Sequence, residues 1–191
     1  MSKIVGIKLT HDAAVALVED GQLKFCIELE KVDNMPRYTS AISLTNIERV
    51  LQSEGVDADS VDTFVIDGWR GGHIKEFNLD VAPYHEHDYS PLLPNFESNP
   101  MACYPVHDFE LFGKKRHAVS YSHLTGHVVG AYMTAPFAGD AAYCAVWDGG
   151  IPIRIYRVGP EGTDVSFIAQ RGNLTGLIYG IMGYYAGPFA N

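Results

Sequence analysis

Apolar and polar residues alternate in three separate runs within the first thirty positions. Ile4 to Thr10, Ala14 to Glu19 and Leu23 to Glu30 each read as a strand, with Glu19-Asp20-Gly21-Gln22 as the tight turn between the last two. The period then changes. Between Ala41 and Glu54, Ile42, Ile47, Val50 and Leu51 fall at helical spacing, with Thr45 available to cap the helix and Gly55 to stop it. Val61 to Asp67 returns as an apolar run of strand length, so the opening reads βββαβ.

From 68 to 117 the pattern dissolves into Gly, Pro, His and aromatic residues, a long irregular segment of the kind that carries function or motion. Ser120 to Met133 reads as a helix ending near Thr134-Ala135-Pro136. Three further strands are expected: Ala141 to Trp147, ending on Asp148-Gly149-Gly150, then Ile151 to Val158, a turn at Gly159 to Gly162, and Asp164 to Gln170. Gly176 to Ala186 is the last helical stretch. The βββ pattern thus comes round twice, each time with a strand that ends on polar chemistry just before a hairpin. Such recurrence points to two duplicated α/β lobes with a cleft, the first over 1–138 with an irregular insertion at 68–117, the second beginning at 139 and incomplete at 191. The apolar stretch from Ile178 to Phe189 suits a core segment better than a polar tail.

Composition narrows the partners. With 191 residues, 47% of them hydrophobic, the chain can bury a sizeable core. A formal charge of −9 and a pI near 5.2 argue against nucleic acid, whose binding depends on Lys and Arg displacing counterions. No stretch approaches the roughly 20 apolar residues of a membrane span, and the N-terminus lacks the basic, apolar and small-residue order of a signal peptide. Cys26, Cys103 and Cys144 are odd in number and widely spaced, which favours neither a disulfide framework nor a cysteine zinc site and makes a reducing cytoplasm the expected location.

Chemistry concentrates at a few positions. His123 and His127 stand four apart on the expected helix, on one face, at metal-ligand spacing. Asp148, at a strand end beside two glycines, is the carboxylate to complete the set. Two histidines four apart also arise by chance. His11-Asp12, at the first strand end, is either a base presented to a hydroxyl or a turn pair in which Asp12 caps backbone amides. Lys31, Arg37 and Arg70 follow strands, where they can meet phosphate or remain solvated. Lys114-Lys115-Arg116 reads as surface charge; His85, His87 and Asp88 have the side chains of a metal site, but in a Pro-rich loop they read rather as a surface tract.

The chain resembles the O-carbamoyltransferases that include nodulation proteins and the enzymes that carbamoylate tobramycin, cephamycin and ansamycin antibiotics. The resemblance is carried by Gly6-Ile7, His11-Asp12-Ala13-Ala14, Glu19-Asp20-Gly21, Glu28, Glu30-Lys31 and Pro36-Arg37-Tyr38. It continues in His123-Leu124-Thr125-Gly126-His127, Ala135-Pro136-Phe137, Val146-Trp147-Asp148-Gly149-Gly150 and Gly176-Leu177-Ile178-Tyr179-Gly180. It implies an actin-like, sugar-kinase-like (ribonuclease H-like) fold shared with the universal tRNA threonylcarbamoyl-transfer protein, with the first lobe complete and the second truncated.

The same resemblance implies transfer of a carbamoyl group to a small-molecule hydroxyl from carbamoyl adenylate, which a YrdC-like domain makes from carbamoyl phosphate and ATP. By similarity His123, His127 and Asp148 are metal ligands for iron or zinc and His11 is the base. Asp12, Lys31, Arg37, Arg70, Gly149 and Gly150 are then candidates for binding the adenylate. Residues 30–38 look closer to the antibiotic-tailoring branch, which favours a secondary metabolite as acceptor. The family's fourth metal ligand, adenine-binding turn and YrdC-like domain are expected beyond Asn191, so the chain alone is expected to be inactive and to pair with the missing half, a full-length protein or a second copy. A noncatalytic metabolite- or partner-binding module derived from the same fold is the alternative, and a metal-dependent hydrolase a third that leaves the repeat unexplained.

Overall fold

The computed structural model describes residues 2–8, 13–34, 44–68, 99–106, 109–148, 152–175 and 177–186. The chain forms two compact units, Met1–Leu93 with Ala102–His123, and Pro94–Met101 with Leu124–Asn191.

The first unit opens with an antiparallel meander of β1 (Lys3–Lys8), β2 (Ala14–Glu19) and β3 (Gln22–Glu28). Asp20 and Gly21 both take positive φ, 50° and 75°, the backbone that a two-residue hairpin needs to match strand twist. Alternation decides the faces, since Val5, Ile7, Val15 and Leu17 are buried. The third strand stops at Glu28, two residues before the expected end at Glu30, and Glu30 instead opens a short helix, α1 (Glu30–Asp33), closed by Asn34 at φ 57°. Four residues are too few to show a period in the sequence.

Helix α2 (Leu44–Ser53) lies where helical spacing placed it, with Ile47, Val50 and Leu51 buried. Thr45 is inside it rather than capping it. Gly55, at φ 68°, stops it: Gly55 N–H donates to Gln52 O at 3.1 Å and Val56 N–H to Leu51 O at 2.8 Å, the paired bonds of a Schellman close.

β4 (Thr63–Gly68) runs parallel to β1, from Ile4 opposite Thr63 to Ile7 opposite Ile66. The stretch expected to be irregular holds β5 (Cys103–Pro105), β6 (Glu110–Leu111) and β7 (Lys114–Lys115). Residues 118–122 form β8 (Ala118–Ser122), parallel to β4, so the sheet runs β3-β2-β1-β4-β8-β5. The helix expected from Ser120 therefore starts three residues later. Ser120 is fully buried and donates to Ile66 O at 3.0 Å, a partner that only the neighbouring strand provides. Phe64 and Ile66 of β4 join Val5, Ile7, Val15, Leu17 and the buried face of α2 in one core, which Phe109 and Leu111 complete.

Arg116 is not the solvated charge expected. Its side chain is only 10% exposed; it meets Asp59 at 2.5 Å and reaches the carbonyls of Leu111 and Ala58 at 3.2 and 3.3 Å. Lys114, 61% exposed, shares Asp59 at 2.5 Å. Together they tie the β6-β7 hairpin to the 3-10 turn Ala58–Ser60.

The second unit holds most of α3 (His123–Met133) and a meander of β9 (Ala142–Val146), β10 (Pro152–Val158) and β11 (Val165–Thr175), followed by α4 (Leu177–Ala186). Leu124, Val128 and Tyr132, four apart on α3, pack with Val146, Tyr156, Val158 and Val165. The Tyr132 hydroxyl accepts from Gly139 N–H at 2.9 Å and lies 2.9 and 2.8 Å from the carbonyls of Asp140 and Pro160, one of which takes its single proton. No helix among the described residues is long and apolar enough to cross a membrane.

Candidate metal centre

Three parallel strands, β1, β4 and β8, point the same way in the first unit. Their carboxyl ends carry Lys8, Asp67 and, one residue past Ser122, His123. That edge is where open α/β sheets present ligand-binding groups, because the chain leaves each strand there into connections free to vary. Asp67 is in register with Tyr121 of β8, so hydrogen-bonded sheet rather than loop sets its distance from His123.

His123 is buried, at 7% exposure. Its Nδ1 lies 3.0 and 3.2 Å from the two carboxylate oxygens of Asp67, whose Oδ2 is 3.6 Å from Lys8 Nζ. One helical turn later comes His127, its side chain 44% exposed, and its Nε2 is 3.8 Å from Asp148 Oδ2, two residues beyond the end of β9. His123, His127 and Asp148 each offer a ligand atom, and these atoms lie within 4.8 Å of one another. The helix supplies this closeness for the histidines: i and i+4 share a face, and this face flanks the buried stripe of Leu124 and Val128.

The donor set fits a cation of the zinc or iron type. Two imidazoles and one carboxylate match the borderline character of those ions and leave positions open for substrate. Asp67 sits on Nδ1 of His123, and a carboxylate on one nitrogen of a histidine is the partner that metal-ligating imidazoles commonly have on the nitrogen that does not bind the ion. Cysteine contributes nothing to the cluster: all three are free thiols, and burial pushes the Cys144 thiol above its usual range.

Of the residues singled out in the sequence, the structure brings together His123, His127 and Asp148. Lys31, on α1, is exposed, pairs with Glu30 at 2.5 Å and is not in the cluster. His11, Asp12, Arg37, Arg70, Gly149 and Gly150 lie outside the described residues, as do His85, His87 and Asp88. Asp67 and Lys8 stand out in the sequence only as strand residues. A signal for Asp67 was present, because an ionisable residue closes the apolar run Phe64-Val65-Ile66 in the manner of Asp148 after Val146-Trp147.

Fold and site together define an α/β protein with a candidate two-histidine, one-carboxylate cation centre. The chain belongs to the carbamoyltransferase N-terminus family, which it matches over residues 3–191. It is similar to nodulation protein U of Rhizobium tropici, 40% identical over 198 residues that cover 98% of this chain and 33% of the relative. Nodulation protein U of Azorhizobium caulinodans is 32% identical over 200 residues, covering 99% and 34%. The chain thus spans about a third of the length of these curated relatives. Among solved structures, YeaZ from Pseudomonas aeruginosa aligns with a TM-score of 0.44 at 13% identity, covering 90% of this chain and 67% of that one.

Proposed function

We propose that this chain is the N-terminal portion of an O-carbamoyltransferase that moves a carbamoyl group from carbamoyl adenylate, made from carbamoyl phosphate and ATP, to a hydroxyl of a small molecule. The observation that carries the reading is the gathering of His123, His127 and Asp148 in a chain of the carbamoyltransferase N-terminus family. An actin-like fold of two related lobes accompanies it. The meander-then-parallel order β3-β2-β1-β4-β8, with a second three-stranded meander at β9 to β11, supports that part.

In this reading His123, His127 and Asp148 hold a divalent iron or zinc ion, which when bound supplies Lewis-acid stabilisation of negative charge developing on a phosphate or carbamoyl oxygen. His11 takes the proton of the acceptor hydroxyl as that oxygen bonds to the carbamoyl carbon. The bond from carbon to the adenylate phosphate oxygen breaks, and AMP leaves with the electron pair. Asp12, Lys31, Arg37, Arg70, Gly149 and Gly150 are assigned to binding the adenylate, the cations by charge-assisted hydrogen bonds and the glycines by admitting close approach. Residues 30–38 favour a secondary metabolite as the acceptor. The remaining ligands and the adenylate-forming domain are assigned to the part of the relatives that this chain does not span.

The test combines the chain with the remaining two-thirds of a nodulation relative and supplies ATP, carbamoyl phosphate and a panel of hydroxylated small molecules. Carbamate ester formation that disappears in His11→Ala and His123→Ala is the expected result. Ester formation indifferent to both substitutions overturns the assignment.

A further inference from the structure

We propose that Asp67 is the positioning residue of this centre: its carboxylate holds His123 in the one tautomer that leaves Nε2 for a cation, and Lys8 steadies the carboxylate. The inference rests on the metal reading above and concerns two residues outside the three ligands.

A neutral imidazole has one N–H and one lone pair, and only the nitrogen with the lone pair can bind a cation. An ionised carboxylate accepts hydrogen bonds and donates none, so whichever ring nitrogen faces it carries the proton. Here that nitrogen is Nδ1, with both Asp67 oxygens at 3.0 and 3.2 Å. Nε2 is left as the donor of electrons. His123 is 7% exposed, so the protein rather than bulk water orients its ring.

The placement of Asp67 follows from the sheet. Phe64 and Ile66 point into the core, so Asp67 falls on the alternate face of β4 from them. Its register partner on β8 is Tyr121, two residues before His123. On the other flank β4 pairs with β1, whose last residue, Lys8, sets its ammonium 3.6 Å from Asp67 Oδ2. Groups carried on paired strands hold geometry more tightly than groups on loops, which is what a positioning residue requires.

The experiment uses the whole chain as wild type, Asp67→Ala and Asp67→Asn, with two readouts. Nitrogen-15 spectra of the imidazoles, taken without metal at a pH well above the usual histidine range, report the tautomer of His123. Zinc titration against a chromophoric chelator reports affinity. We expect the wild type to hold the Nδ1–H tautomer and Asp67→Ala to shift toward Nε2–H, with zinc bound about 10–100-fold more weakly, as for other outer-shell carboxylates. Asp67→Asn, nearly the same shape, guards against misfolding of the alanine variant and is expected to lose about tenfold. Unchanged tautomer and affinity in a folded variant overturn the proposal. Zinc that fails to bind even the wild type sinks the metal reading instead, and the tautomer shift still decides whether Asp67 orients His123.

Discussion

His127 Nε2 and Asp148 Oδ2 stand 3.8 Å apart, beyond hydrogen-bond reach. Two atoms bonded to one ion at about 2.0–2.2 Å are themselves roughly 3–3.5 Å apart, so a small closure brings both onto a shared cation. We expect His127→Ala and Asp148→Asn each to lower zinc or iron affinity by more than the ~10–100-fold typical of an outer-shell partner. Metal content by mass spectrometry of the purified variants checks this, with about one ion per wild-type chain as the expected baseline.

Asp59 carries a pH dependence. Hydrogen bonds from Lys114 and Arg116 hold its carboxyl below its ordinary value of 3.8. A group depressed on folding contributes stability that is fully present above its unfolded pKa and is lost as pH falls through the folded one. Asp59→Asn is therefore expected to unfold at lower urea than the wild type at pH 7, with the gap narrowing below pH ~4. A gap that stays constant into acid would contradict the assignment.

The cysteines are expected to react in a definite order. Cys26 and Cys103 are exposed, whereas Cys144 is half-buried on β9 and its thiol is raised by burial from 9.0. Alkylation proceeds through the thiolate, so iodoacetamide at pH 8 should label Cys144 most slowly, and denaturant should abolish its lag. Peptide mass spectrometry over time reads both.

Gly162 occupies a position that a side chain resists twice over. Its φ is +74°, and a Cβ there would lie 3.0 Å from Met133 Sδ and 3.3 Å from the Tyr132 ring. Gly162→Ala is expected to cost roughly 1–3 kcal/mol from the left-handed backbone alone. Thermal melts compared with those of Gly113→Ala, whose Cβ meets nothing within 4 Å at φ +66°, separate the steric part from the backbone part.

Much of the fold was legible because it is local. Alternation marked β1 and β2, the spacing of Ile47, Val50 and Leu51 marked α2, and Gly55 marked its end; each signal depends on neighbours a few residues away. The i, i+4 pair of His123 and His127 was visible for the same reason: helix geometry alone puts the two rings together. What was missed had partners far along the chain. Strand β8 exists because Ala118 to Ser122 pair with β4 more than fifty residues earlier, and Arg116 is anchored by Asp59.

The sequence by itself determined the family of this chain, its α/β character and the ligand-bearing helix, since order of motifs and periodicity are properties of the linear chain. Only the tertiary structure decided that Asp148 comes within reach of His127 and that Asp67 faces His123, because those distances depend on how strands register and where their ends fall. A carboxylate on a strand has no local feature that names its partner; the parallel pairing of β4 with β8 supplies it.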